Sequence, residues 1–316
     1  MDRREFLVAA GALPFTWRSI AGGSPVALVT ADTQARVAVV ELSSGRILRS
    51  VATLPGPRSI ESVSQRMGVV CHTQHGAVTL IDGHTLRIRR VVRGFGEPRY
   101  AAVAPNRRHV FISDSARDEV VALDIWRGEI LGRVAVGGPA RHLSVGPGGR
   151  LLWVSLGSKA EEVAIVNVER PAAPRLLYRL RPPFLAHDVG FAPGGRHVWV
   201  SSGDRGALAV YDVRAGKILR RLRGDAPPQH VTFYRGNAYV TSGEDATLRV
   251  HALRDGRLLH TTRVPFGSYN VQEGGGRILT PSLHRGTICI LDRRGRIERH
   301  VKVAPSSHDA CFVVTA

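Results

Sequence analysis

The sequence predicts an all-β fold: a seven-bladed β-propeller with four antiparallel strands per blade, closed by the C-terminal strand completing the first blade. Three observations predict it. One pattern of about forty residues returns seven times. Each copy is preceded by short runs that favour strands. Helical periodicity is absent from Ser24 to Ala316.

The repeated pattern is two apolar residues, usually an acid, a short turn often holding glycine, then Ile or Leu. Its copies are Val40-Glu41…Gly45-Arg46-Ile47, Ile81-Asp82…Ile88, Leu123-Asp124…Gly128-Glu129-Ile130 and Val166-Asn167…Leu176. Tyr211-Asp212…Gly216-Lys217-Ile218, His251-Ala252…Gly256-Arg257-Leu258 and Leu291-Asp292…Gly295-Arg296-Ile297 complete the series. The final anchors, at 47, 88, 130, 176, 218, 258 and 297, are spaced by 41, 42, 46, 42, 40 and 39 residues. Upstream lie Phe111-Ile112-Ser113, Trp153-Val154-Ser155, Trp199-Val200-Ser201 and Tyr239-Val240-Thr241-Ser242. Further upstream, Ala104-Pro105-Asn106-Arg107, Gly146-Pro147-Gly148-Gly149 and Ala192-Pro193-Gly194-Gly195 read as hairpin turns. Each unit is therefore four short strands, A to D, and that arithmetic is a propeller's.

The first unit, residues 25–53, has only three strands, Val26–Ala31, Arg36–Leu42 and Arg46–Thr53. The last segment, His308 to Val314, is a single strand with nothing to pair in sequence. Joining the two closes the ring and removes its free edge. Strand D is outermost and carries arginine: Arg87, Arg89, Arg90 and Arg93 in one blade, Arg220, Arg221 and Arg223 in another. Charged outer edges discourage strand addition by other molecules.

The aromatic-Val-Thr/Ser run, best expressed in Tyr239-Val240-Thr241-Ser242, resembles the YVTN-type propeller repeats of bacterial secreted proteins, relatives of the WD-repeat fold. The resemblance spans nearly the whole chain after residue 24, though the Trp-Asp dipeptide of true WD repeats is missing. It implies two chemistries for propellers of this general kind: lactone hydrolysis, as in lactonase-like propellers, or a haem or metal reaction, as in the cytochrome d1 propeller and copper-bearing propellers. Neither carries over residue by residue; only histidines at the inner rim are shared.

Composition limits the alternatives. The 316 residues can bury a large core, and three cysteines, Cys71, Cys289 and Cys311, cannot frame a disulfide-stapled fold. Cys71 and Cys311 fall in neighbouring blades, where a pair is open to an exported protein. The net charge is +18, and 41 of the 44 cations are arginine, the lysines being Lys159, Lys217 and Lys302. That field attracts polyanions without specificity. No zinc finger, RNP-like segment or basic recognition helix accompanies it, so no specific nucleic-acid partner is expected. Nor is there a Gly-x-Ser-x-Gly elbow, a His-Glu-x-x-His pair or a P-loop. Asp114, Asp204 and Asp245 follow B strands, where aspartate builds turns.

The N terminus reads Met1-Asp2-Arg3-Arg4-Glu5-Phe6-Leu7, followed by apolar residues to Phe15. Paired arginines, Phe-Leu and a short apolar run resemble a twin-arginine export signal. Residues 1–24 are therefore expected to be an address and linker, and residues 25–316 the propeller. An extracytoplasmic setting follows, periplasmic or secreted. The apolar run is too short to span a bilayer, so no transmembrane segment is expected in the mature chain.

Aligning the innermost strands places one residue per blade just before the first apolar position. From blade two to blade seven these are Ser59, Tyr100, His142, Asp188, His230 and Asn270, and the closing strand adds Asp309. The preceding position holds Arg58, Arg99 and Arg141 in blades two to four, His187 in blade five and His308 in the closing strand. No ring residue is aliphatic. The channel mouth is thus expected to be polar, with imidazole and carboxylate on one arc and guanidinium on another.

Four histidines, His142, His187, His230 and His308, are the candidate metal ligands, since neutral imidazole binds transition metals and acidic neighbours orient it. The other ring residues and the three arginines are candidate contacts to a small, anionic ligand or cofactor. Three readings stay open: a merely wet channel, a small-ligand funnel, and a metal or haem site. The expected function is a binding or scaffold protein with a small ligand or a protein partner at the channel mouth, acting as a monomer. The alternative is an enzyme or cofactor protein using the same rim. His187 and Asp188 can serve one site only if their strand bulges.

Overall fold

The computed structural model describes residues 23–227 and 230–316. The export segment expected over residues 1–24 lies, apart from Gly23 and Ser24, outside the described residues. The described chain forms seven four-stranded antiparallel sheets. Blade one is built from Ala310–Val314, Pro25–Ala31, Arg36–Glu41 and Ile47–Ala52, in that spatial order. The C-terminal strand pairs with the first strand from Val314 opposite Pro25 to Ala310 opposite Val29. The expected closure is therefore present, and each remaining blade is a consecutive A-B-C-D meander.

The repeat now has a physical account. The acid ending strand C folds the turn to strand D by accepting backbone amides. The Asp82 carboxylate takes those of His84 and Thr85, Asp124 those of Trp126 and Arg127, and Asp292 those of Arg294 and Arg296. Aspartate suits this because its short side chain reaches backbone amides two to four residues on within a tight turn. Glycine follows at positive φ, +68° at Gly128 and +63° at Gly216, where other residues are strained. The C–D pairing carries a bulge at the same place in all seven blades.

The strand-B aromatics hold blade to blade. Trp153 of blade four packs on Phe191 and Tyr211 of blade five, and Trp199 of blade five packs on Phe233 and His251 of blade six. Both tryptophans are fully buried. The apolar core is accordingly a series of clusters between adjacent sheets. Strand D is the exposed edge; six of the seven residues of Arg87–Arg93 face solvent. The basic excess is in this respect a solvated rim.

Asp114, Asp204 and Asp245 build loops as expected. Each accepts a backbone amide from the connection entering its own blade: Gly96 and Glu97, Leu185, and Ala226 respectively. The three cysteines are free and buried, so Cys71 and Cys311 are not paired. Among the described residues, no helix is long and apolar enough to cross a membrane.

Candidate functional site

The seven A strands line a central cavity of about 570 Å³. It runs from Ser59, Tyr100, His142, Asp188, His230 and Asp309 to the A–B turns at Pro105, Pro147 and Pro193. The expected ring therefore exists, but not as an open mouth. Ser59, His142, Asp188, Asn270 and Asp309 are buried, so the ring forms the floor of a funnel that widens towards the A–B turns.

The A strands bulge at this level. Pairing skips Arg58 in blade two, Arg99 and Tyr100 in blade three, and His187 and Asp188 in blade five. An extra residue changes which way its neighbours face. That is how consecutive His187 and Asp188 are both buried at the centre.

Three of the four expected metal-ligating histidines converge. His142, His187 and His230 each offer a ring nitrogen within 4.8 Å of the others, and this is the one such group among the described residues. Their rings lie 4.4 to 5.5 Å apart between centroids. The Nδ1 atoms are engaged: His142 Nδ1 donates to the His187 carbonyl at 2.7 Å and His187 Nδ1 to the Ser158 carbonyl at 2.8 Å. His230 Nδ1 lies 3.4 Å from Asp188 Oδ2. His142 Nε2 is buried with no hydrogen-bond partner. Burial holds the His142 pKa well below the usual imidazole range, and the neighbouring histidines push the same way. Burial also takes His187 down to about 3.

His308 does not join this group, which corrects the four-histidine expectation. The Asn270 side chain holds it instead, with Nδ2 3.2 Å from the His308 ring and 2.7 Å from its carbonyl. Burial, then the Arg58 charge, keeps its pKa well below the imidazole range.

The two aspartates tie blades together. Asp188 Oδ1 accepts from Val189 N at 2.8 Å and Oδ2 from Val231 N at 3.0 Å. Asp309 does the same with Ala310 N at 2.8 Å and Ile60 N at 3.1 Å. Burial pushes the Asp309 carboxyl well above the carboxylate range. Ser59 donates to the Arg99 carbonyl, a further tie between neighbouring blades.

The arginines divide. Arg99 pairs with Glu97 at 2.9 Å. With Arg58 it lines a smaller cavity among the D–A and B–C connections, on the face opposite the A–B turns. Arg141 stands beside Tyr100, and its charge reaches His142 and His187. The Nε atoms of Arg58, Arg99 and Arg141 are buried without hydrogen-bond partners. Tyr100 lies over His142, with ring centroids 4.1 Å apart.

The funnel wall holds residues outside the expected ring. Glu61, Ser144, Thr232 and Gln272 line it, each two residues beyond a ring position. Strand alternation could have found them, because every second side chain shares a face. Glu61 accepts from the Gln272 amide at 3.1 Å and from Ser62 N at 3.0 Å. Burial pushes its carboxyl up to about 7.

No family model matches the chain, and no curated protein does. Solved structures match its fold widely, across 1718 chains, so the likeness speaks for architecture alone. One is the Kuenenia stuttgartiensis hydrazine synthase, at 14% identity and a TM-score of 0.68, covering 82% of this chain and 90% of that one. Another is a functionally unknown protein from Desulfotomaculum acetoxidans, at 10% identity and a TM-score of 0.78, covering 91% and 98%.

Proposed function

We propose that this chain is an exported β-propeller of the YVTN type that binds a small ligand in its central funnel and serves as a binding or scaffold protein. One observation carries the reading: Ser59, Tyr100, His142, Asp188, His230 and Asp309, polar or aromatic side chains from six blades, line one concave cavity beside aliphatic residues such as Ile60, Leu143 and Val231. Concavities with a few convergent polar groups are where small ligands bind. The wall adds Glu61, Gln272 and Thr232, which would orient a polar ligand by hydrogen bonds.

A thermal-shift series with acetate, citrate and inorganic phosphate tests this. A probe that binds the folded state raises its melting temperature by mass action. At least one of the three should do so, and Thr232→Trp, which places an indole in the funnel wall, should abolish the effect. Absence of any shift, or a shift unchanged in Thr232→Trp, contradicts the reading.

The export proposal rests on Arg3-Arg4, Phe6 and Leu7 in the order of a twin-arginine signal. Fractionation of cells making the chain should find it outside the cytoplasm, and the double change Arg3→Lys, Arg4→Lys should retain it. Cytoplasmic wild-type protein would contradict it.

A second reading, an enzyme or cofactor protein working at the same floor, is favoured by one specific observation. That observation is the meeting of three imidazoles.

A further inference from the structure

We propose that His142, His187 and His230 form a site for one divalent transition-metal ion, bound through their three Nε2 atoms, with a small anion completing its shell. The inference rests on the reading of the channel as the ligand site and makes it specific.

The geometry is prepared in three respects. First, the donors sit at the start of the A strands of three consecutive blades, His142 just before Leu143–Val145, His187 within Ala186–Phe191 and His230 just before Val231–Tyr234, so the ring of blades sets their spacing. Second, each Nδ1 is already engaged: those of His142 and His187 donate to carbonyls, and that of His230 faces the Asp188 carboxylate. A neutral imidazole that donates through Nδ1 keeps its lone pair on Nε2, and carbonyl or carboxylate partners of this kind orient metal-binding histidines. Third, His142 Nε2 is a buried polar atom with no partner in the protein. A metal would satisfy it.

The distances permit closure. Two nitrogens at about 2.0–2.1 Å from a tetrahedral ion stand about 3.4 Å apart. One ring nitrogen of each histidine lies within 4.8 Å of those of the other two, a gap that ring rotation would close on binding. An all-imidazole donor set suits Zn, Cu, Fe or Ni and not the oxygen-seeking Mg or Ca. Three protein ligands leave a fourth position open. The Arg141 charge, which reaches His142 and His187, would oppose a bare dication but favours one carrying an anion.

The test uses full-length protein without a polyhistidine tag. Titration with Co²⁺ should reach one ion per chain with the visible bands of tetrahedral cobalt. Azide should shift those bands. His142→Asn with His230→Asn should weaken binding more than roughly 100-fold, beyond the 10–100-fold loss usual for an outer-shell partner. His308→Asn should leave it unchanged. X-ray absorption of the wild-type zinc complex should count three imidazole nitrogens, and decides the matter even if the double variant fails to fold.

Binding well below one ion, fewer than three imidazoles, survival of binding in the folded double variant, or equal loss in His308→Asn would each overturn the proposal. A chain that binds citrate or phosphate in its funnel but no metal overturns the metal site and leaves the channel reading standing.

Discussion

Asp188 and Asp309 occupy equivalent positions in blades five and one and make the same two hydrogen bonds. Each accepts one amide proton from the residue that follows it and one from the innermost strand of the next blade. The polar ring is thus part of what joins the sheets as well as what faces the funnel. Asp188 additionally faces His230, so the same carboxylate that ties blade five to blade six also orients an imidazole.

Replacing Asp309 with Ala orphans two buried amides, those of Ile60 and Ala310. Each unsatisfied buried donor costs about 1–3 kcal/mol, so urea unfolding should show a loss of about 2–6 kcal/mol. Asp309→Asn keeps one carbonyl acceptor and should lose about half as much. Equal stability of all three proteins would contradict the clamp.

Ending the chain at Ser307 removes the strand that pairs with Pro25–Ala31. The first blade then presents an unpaired edge next to an opened core. Light scattering should show association of the truncated chain, and its unfolding midpoint in urea should fall. A monomer with an unchanged midpoint would contradict closure by this strand.

Glu61 makes stability depend on pH. Burial raises its pKa from 4.5 to about 7, so between those values the folded chain holds a proton that the unfolded chain has lost. Its contribution is complete below pH 4.5 and disappears as pH rises through about 7. Glu61→Gln removes this titration. The stability of the variant relative to wild type should therefore rise between about pH 5 and about pH 8, and the difference cancels the histidine titrations common to both. A constant difference would place the Glu61 pKa near its ordinary value.

Gly286, at φ +59°, ends the B–C turn of blade seven. A Cβ there would stand 1.8 Å from the Ala304 carbonyl oxygen. Gly286→Ala should cost about 2–5 kcal/mol, the left-handed backbone penalty plus the displacement of backbone. Gly148→Ala, where a Cβ meets nothing within 4 Å, should change stability by less than about 0.5 kcal/mol in the same urea assay.

The fold could be read from the sequence because each blade repeats its own turn chemistry. Asp82, Asp124, Asp212 and Asp292 recur where a C strand must turn, and Phe111, Trp153, Trp199 and Tyr239 recur where neighbouring blades meet. The ring residues were legible for the same reason, once the A strands were aligned. What could not be read is how the A strands bulge. A bulge has no composition of its own, yet it lets consecutive His187 and Asp188 share the centre; His187 then meets His142 of the preceding blade, whereas His308, at the corresponding position, meets Asn270. The burial of the ring was likewise hidden, since alignment gives the level of a residue in the channel but not which end of the channel is wide. Glu61 and Gln272 were within reach of strand alternation.

The most direct measurement is an anomalous difference map from a crystal of the protein grown with cobalt. The account predicts one strong peak per chain at the funnel floor, about 2.0–2.1 Å from the Nε2 atoms of His142, His187 and His230. A map with no peak among those three rings, or with its peak on other residues, would contradict it.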